Sequence, residues 1–348
     1  MRNSADSTCG SAVAARTQKN VASLPPVIAV VVPTCGRLHL LERCLAALCA
    51  QSLDPSRYEI VVVDDARGAA CRATVIQWAA RARGRGPAIV YRATAGAEGP
   101  AVARNRGWRA AHANLIAFTD DDTEPSFDWV ERGLNAFEGA VDAAWGRIIM
   151  PISSDPTDYE RDAQGLESAE FVTANCFCTR QALVRIGGFD ERYRLAWRED
   201  ADLYFKLLSS GARIVRVDDA VVVHPVRPAR WGVSVSQQRK VMFDALLFKT
   251  HPKLYREKIR RSPRWDYYAI VLVLVGVMLG VAFHLFFVTT IASLLWLALT
   301  TRFALKRLAH TSRRASHVFE MTVTSCLIPL LSVYWRARGA IKFRVAFF

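Results

Sequence analysis

The sequence has eight cysteines but no C-x-x-C, and only Cys176 and Cys178 stand as close as two residues apart. That scatter reads as reduced, buried or half-buried thiols in a cytosolic domain. The first 26 residues, rich in Ser, Ala and Asn, lack an apolar core of signal-peptide length, so the N-terminal domain is not expected to be exported. No basic helix with interleaved aromatics and no zinc-knuckle spacing is present, which argues against nucleic acid as a partner. Acidic residues are scarce at one end only. Residues 251–348 hold 15 Lys/Arg against 3 Asp/Glu, whereas residues 1–250 hold 31 against 29. The formal net charge of +14 therefore belongs to the last quarter, beside its apolar runs. Basic residues flanking apolar runs point to the cytoplasmic face of a membrane.

With 348 residues the chain has room for about two domains. A tail over 1–26 is expected first. Residues 27–32 form a β-branched run ended by Pro33, and a short run apolar on both faces suits a parallel strand buried on both sides. Leu38, Leu41, Leu45 and Leu48 then recur at helical spacing. A second strand over 60–63 ends in Asp64-Asp65, a helix covers 70–83, and a third strand covers 88–91. Gly99-Pro100 opens a helix running to about 112, with Pro at a favoured first position. A fourth strand covers 115–118. This alternation implies a doubly wound α/β sheet, mostly parallel. Further on, the pattern predicts a helix over 127–137 capped by Ser126 and a strand over 143–150. A loop or insertion over 153–165 and a strand over 168–178 follow. A helix over 180–186 is capped by Thr179, and another covers 199–210. Two short strands, 214–217 and 221–223, precede His224.

Three carboxylates, Asp120-Asp121-Asp122, arrive where the fourth strand ends. Adjacent negative charges there want a counter-charge, and Mg²⁺ or Mn²⁺ takes carboxylates together with phosphate oxygens of a substrate. An acidic turn capping the next helix is the plainer alternative. In open α/β sheets ligands bind beyond the carboxyl ends of the strands. Pro33-Thr34, Asp64-Asp65 and the triple aspartate all lie at such ends, and that shared edge favours the metal and phosphate reading.

In order and spacing, six motifs resemble the family 2 glycosyltransferases, nucleotide-sugar enzymes with the GT-A fold. They are Val-Val-Pro-Thr-Cys-Gly-Arg at 31–37, Val-Val-Val-Asp-Asp at 61–65 and Gly-Pro-Ala-Val-Ala-Arg-Asn-Arg-Gly at 99–107. Phe-Thr-Asp-Asp-Asp at 118–122, Gly-Gly-Phe-Asp-Glu at 187–191 and Arg-Glu-Asp-Ala-Asp-Leu at 198–203 complete the set. The resemblance covers roughly 27–251 and implies roles residue by residue. Pro33, Thr34, Arg37, Asp64, Asp65, Arg104, Asn105 and Asp121 fall to the nucleotide sugar. Asp120 and Asp122 fit the ends of the family's Asp-x-Asp motif, with Asp122 the preferred ligand, although three in a row blur the register and Asp121 could take that place. His224 is a candidate third ligand, and imidazole suits Mn²⁺ better than Mg²⁺; a structural histidine is the alternative. Asp200 resembles the catalytic base, near a helix N-terminus that favours its ionised form, and Glu199 is its rival. The resemblance implies inverting, metal-dependent transfer from a nucleoside-diphosphate sugar to a hydroxyl acceptor, lipid-linked or glycan. A Gln-x-x-Arg-Trp motif is missing, the nearest match being Gln237-Gln238-Arg239-Lys240, which argues against a processive polysaccharide synthase. A catalytically silent member binding nucleotide sugar or a partner is a rival reading, opposed by the intact acidic motifs. A transport protein is another, opposed by the lack of intramembrane charge.

Residues 267–301 contain only His284 as an ionisable group. As one helix they would run about 52 Å, far beyond a hydrocarbon core of about 30 Å, so a helical hairpin turning near 284–290 is expected, over about 267–303. Both flanks are basic, which satisfies the positive-inside rule if the chain crosses twice. Residues 318–335 are apolar around Pro329 and followed by Arg336, Arg338, Lys342 and Arg344. A third crossing would strand that basic tail on the wrong face, so a re-entrant or in-plane helix is expected over 318–335. The expected division is a GT-A domain over 27–250 and membrane-associated helices over 251–348. The expected location is a plasma membrane, such as a bacterial inner membrane, with the catalytic domain in the cytoplasm.

Overall fold

Eight strands form one sheet in a computed structural model that describes residues 25–347. All but the last two residues of the expected N-terminal tail lie outside the described residues. The strands are β1 (Ile28–Thr34), β2 (Tyr58–Asp64), β3 (Ala88–Ala93), β4 (Leu115–Phe118), β5 (Glu124–Pro125), β6 (Ala143–Ile149), β7 (Cys176–Thr179) and β8 (Ile214–Val223). Their order is β3-β2-β1-β4-β7-β6-β8-β5. The pairs β1–β2, β2–β3, β1–β4 and β6–β8 are parallel, and β7 runs against both its neighbours.

The first half follows the alternation in the sequence. Helices α1 (Leu38–Cys49), α2 (Ala69–Ala82) and α3 (Pro100–Ala110) connect β1 to β4. Every residue of β1 and β2 is buried, so both faces of the sheet must be covered. Ile28, Val30, Val32, Ile60 and Val62 share a cluster with Leu41, Leu45 and Leu48 of α1. Ala29, Val31, Val61 and Val63 share the opposite cluster with Ala103 and Trp108 of α3. Each such fully buried Val, Ile or Leu contributes roughly 1.5–3 kcal/mol.

The second half departs from the expected pattern in four places. Helix α4 (Trp129–Asn135) starts later than expected, because Asp128 rather than Ser126 precedes it. The expected insertion contains α5 (Asp158–Gln164), started by a reciprocal capping box between Thr157 and Glu160. The expected strand over 168–178 shrinks to β7, since 165–168 and 173–175 are 3₁₀ turns. The two short strands before His224 fuse into β8, with a register shift opposite Gly146 and Arg147. Helices α6 (Arg180–Ile186) and α7 (Glu199–Ser209) lie as expected, followed by α8 (Val233–Gln237), α9 (Met242–Thr250) and α10 (Pro252–Leu254).

Three apolar helices end the chain: α11 (Trp265–Ala282), α12 (Phe286–Leu308) and α13 (Ala315–Phe343). By length and composition each is able to cross a membrane. α11 and α12 form a hairpin that turns at 283–285, where His284 takes a left-handed φ of 55°. Their outward side chains are apolar, with Leu272, Phe286, Phe287 and Leu294 well exposed, as expected of surface facing lipid. The hairpin root is tied down by Arg307. Its guanidinium donates to Asp158 Oδ2 at 2.7 Å, Thr324 Oγ1 at 2.7 Å and Ser234 Oγ at 3.1 Å.

Helix α13 passes unbroken through Pro329 and turns its small and polar side inward. Near its start, Glu320 accepts from the Gly232 amide at 2.7 Å. Near its end, a Cβ on Gly339 would stand 2.4 Å from the Met242 carbonyl oxygen. Arg336, also near that end, pairs with Asp244 of α9 at 3.4 Å. Asp244 is 3% exposed, and it also accepts from Trp197 Nε1 at 2.9 Å and Arg198 Nε at 2.8 Å. The carboxylate thus joins α13 to the turn leading into α7. Removing one partner of a buried ion pair costs about 3–5 kcal/mol. Asp244→Ala is expected to lower the thermal midpoint of the detergent-solubilised chain by several degrees, and an unchanged midpoint would contradict this account of the joint.

Candidate active site

The carboxyl ends of β1, β2, β4 and β8 place most of the expected residues along one edge. Thr34 closes β1 and donates to Asp121 Oδ2 at 2.6 Å. Arg37, just before α1, grips the same carboxylate from Nε at 3.1 Å and Nη2 at 2.6 Å. Burial pushes the Asp121 carboxyl up to about 6 against the pull of Arg37 and Thr34. Asp121 is fully buried, and Arg37 also comes within 3.8 Å of Asp122 through Nη1.

Asp120 and Asp122 offer oxygen atoms that lie with a ring nitrogen of His224 within 4.8 Å of one another. His224 follows the end of β8, is 8% exposed, and its Nδ1 is buried without a hydrogen-bond partner. Two carboxylates and an imidazole make a donor set that fits Mn²⁺. Arg227 stands beside them, with Nε 3.0 Å from Asp122 Oδ2.

Arg104 ties this cluster to α7. From the second turn of α3, on its buried face, its Nη2 donates to Asp120 Oδ1 at 2.7 Å and its Nη1 to Glu199 Oε1 at 3.1 Å. The residue is 3% exposed. Burial opposes its charge, but the two carboxylates hold its pKa above the usual value. Burial works to raise Asp120 as well, and Arg104 overrides it, leaving that carboxyl below its ordinary range.

Glu199 and Asp200 open α7, preceded by Arg198 in a left-handed conformation with φ of 74°. Burial pushes Glu199 up to about 7, opposed by Arg104 and reinforced by Asp200, and its Oε2 is buried without a partner. Asp200 is half-buried. Its Oδ1 accepts from the Ala201 amide at 2.7 Å, and burial raises its pKa. Asp200 lines a cavity, whereas Glu199 does not.

Other expected residues meet the chain itself. Asp64 is fully buried and accepts from the Ala66 and Gly68 amides at 2.8 Å each and from Tyr91 Oη at 3.1 Å. Asp65 accepts from Thr94 Oγ1 at 2.6 Å and from the Glu98 and Gly99 amides at 2.9 Å each, holding the entry to α3. Asn105 uses both ends of its amide on the 188–191 loop and Trp108. It donates to the Phe189 carbonyl at 2.9 Å and Glu191 Oε1 at 2.8 Å, and accepts from the Phe189 amide and Trp108 Nε1 at 2.9 Å each. A Cβ on Gly188 would stand 2.6 Å from Asn105 Oδ1, and φ there is 70°, so this close approach requires glycine. Pro33 is buried in β1 beside Thr34.

Sequence reasoning missed Arg227 and Asp244. The first stands three residues beyond His224 and carries the charge an acidic cluster wants, a signal that was readable. The second sits inside an apolar helical run with nothing local to mark it.

Two family profiles match the chain: "Glycosyl transferase family 2" over residues 29–190 and "Glycosyl transferase family group 2" over 158–335. Glycosyltransferase AglE of Haloferax volcanii is 24% identical over 226 residues, covering 62% of this chain and 72% of AglE. Validoxylamine A glucosyltransferase of Streptomyces hygroscopicus is 25% identical over 252 residues, covering 62% of this chain and 52% of its own length. Pre-mycofactocin glycosyltransferase of Mycobacterium tuberculosis is 31% identical over 146 residues, covering 37% of this chain and 31% of that protein. In fold, the chain is similar to mannosyltransferase PcManGT from Pyrobaculum calidifontis, solved in complex with GDP-Man and Mn²⁺. That match has a TM-score of 0.58 at 18% identity, over 90% of this chain and 88% of the other. The sheet order and edge described above are those of a GT-A fold, and the chain belongs to the family 2 glycosyltransferases.

Proposed function

We propose that the protein is an inverting, divalent-metal-dependent transferase that moves a sugar from a nucleoside diphosphate to a hydroxyl acceptor at the cytoplasmic face of a membrane. The observation that carries this reading is the Arg104 bridge. One buried guanidinium touches both Asp120, in the cluster suited to a cation, and Glu199, next to Asp200. The fold likeness to a protein solved with GDP-Man and Mn²⁺ supports a nucleotide-sugar donor. Pro33, Thr34 and Arg37 form the nucleotide side, with Asp64, Asp65 and Asn105 acting through the loops they brace. Asp120, Asp122 and His224 are the residues for Mn²⁺ or Mg²⁺, which would neutralise charge on the departing diphosphate.

Asp200 takes the proton of the acceptor hydroxyl as its oxygen attacks the anomeric carbon. The bond from that carbon to the diphosphate oxygen breaks on the opposite side, so the centre inverts. With Oδ1 engaged by the Ala201 amide, Oδ2 is the atom left to receive the proton. The raised pKa of Asp200 makes it a stronger base than an exposed aspartate.

Geometry and charge support the choice of bilayer side. Both ends of α13 dock on one catalytic domain, at Gly232 and at Met242–Asp244. With anchors near both ends of a helix about 43 Å long on the same domain, a course along the membrane surface is favoured over a crossing. The α11–α12 hairpin crosses twice, which keeps both basic flanks on the catalytic side. These features support a cytoplasmic catalytic domain and a cytoplasmic C-terminus. Protease or label access to a C-terminal tag in sealed vesicles is expected only from the face that exposes the catalytic domain; access only from the other face would contradict it.

General-base removal costs about 10²–10⁴-fold in rate. Asp200→Asn is expected to lose that much turnover while metal-dependent thermal protection by nucleotide persists. Near-normal turnover would refute the base assignment. In wild type, log kcat/KM should rise with pH as the Glu199–Asp200 pair ionises. Glu199→Gln removes a like charge beside Asp200, so this acid limb should move to lower pH; a shift to higher pH would contradict the coupling.

A further inference from the structure

Asp200 also lines a cavity to which Asp120, Asp122 and His224 do not contribute. Its volume is ≈ 600 Å³, within the range of small-molecule sites. Ser168, Ala169 and Glu170 form one wall and Glu257, Lys258 and Ile259 the other, with Arg198, Tyr204 and Asp200 contributed by α7 and its lead-in turn. Lys258 Nζ closes the two walls at 2.8 Å from Glu170 Oε2.

We propose that this cavity is the acceptor subsite, and that it takes a neutral saccharide hydroxyl rather than the phosphate oxygen of a lipid monophosphate. The proposal rests on Asp200 being the base. Charge argues for it first. Glu170, Asp200 and Glu257 set three carboxylates against Arg198 and Lys258. Both cations are already paired, Arg198 with Asp244 at 2.8 Å and Lys258 with Glu170. A phosphate entering here would meet three carboxylates against two cations, whereas a neutral ring carries no charge to be repelled.

The sign is local to this cavity. A separate space of ≈ 430 Å³ at the hairpin root is lined by Arg161, Arg264, Lys306 and Arg307 against Asp158 and Asp162.

The hydrogen-bonding inventory also fits a polyol. Ser168, Glu170 and Lys258 offer a hydroxyl, a carboxylate and an ammonium to adjacent sugar hydroxyls. Behind them Tyr204 is rigid. Its ring stacks on Phe171 at 5.3 Å and an interplanar angle of 8°, and the Lys258 ammonium lies 5.5 Å from its centroid. Position agrees as well. The 257–259 wall lies shortly before Trp265, where α11 begins, so a saccharide carried on a membrane lipid arrives beside it.

The test uses the full detergent-solubilised chain with Mn²⁺ and radiolabelled GDP-mannose, UDP-glucose and UDP-N-acetylglucosamine as donors. Octyl glycosides and a polyprenyl monophosphate serve as alternative acceptor probes. Transfer to an octyl glycoside is expected. Losing a hydrogen bond to a charged group is worth about tenfold or more, so Lys258→Ala and Glu170→Ala should raise the glycoside KM by at least that, with donor KM within about twofold. Transfer to the monophosphate alone, or an unchanged glycoside KM in both alanine variants, overturns the proposal. Glycoside transfer that survives Asp200→Asn overturns it differently, by removing the base assignment beneath it.

Discussion

The buried guanidinium of Arg104 is the interaction on which the rest of the site depends. An arginine at 3% exposure is tolerable only with counter-charges in hydrogen-bonding reach, and it has two, Asp120 and Glu199. These carboxylates come from opposite ends of the chemistry, one on the loop after β4 and one on the first turn of α7. Their separation is therefore set by the width of one planar cation. Fully ionised, Asp120, Asp121, Asp122, Glu199 and Asp200 outnumber Arg37, Arg104 and Arg227 by two charges. That deficit matches one divalent cation, and burial, reinforced by the Asp200 charge, is what raises Glu199 to about 7.

A second buried ionic joint connects this site to the membrane helices. Asp244 holds Trp197 and Arg198 on one side and Arg336 of α13 on the other. Arg198 keeps a left-handed backbone directly before Glu199, a conformation that non-glycine residues hold only when their surroundings impose it. The turn that aims Glu199 and Asp200 is thus braced by a carboxylate shared with α13. With Arg307 fixing the hairpin root to α5 and α8, the membrane helices are joined to the catalytic domain at two separate places.

The sequence made the first half of the sheet legible because its signals are local. Two-sided burial of β1 and β2 shows as unbroken Val/Ile runs, and helical spacing in α1 shows as leucines. What was hard to read depends on contacts distant in sequence or on short signals. Helix α5 rests on Thr157 and Glu160 three residues apart, a cap visible in the sequence but lost among polar neighbours. Strand β7 is short because Asn175 turns inward to bond Trp129, Arg147 and Ala220 from three other segments. In the site, three aspartates in a row left Asp121 as an alternative to Asp122; the structure engages Asp121 with Thr34 and Arg37 and leaves Asp120 and Asp122 beside His224. Asn105 and Asp64 look like binding residues in their motifs, yet their polar atoms are occupied by their own loops.

The central claim is that Asp120, Asp122 and His224 share one cation that also grips the donor diphosphate. Electron paramagnetic resonance of Mn²⁺ titrated into the full chain with a nucleoside diphosphate tests it most directly. The account predicts one tightly bound Mn²⁺ with a nitrogen coupling that disappears in His224→Phe, and loss of binding in Asp122→Asn. Mn²⁺ binding without nitrogen coupling in the wild type, or binding unaltered in Asp122→Asn, would contradict it.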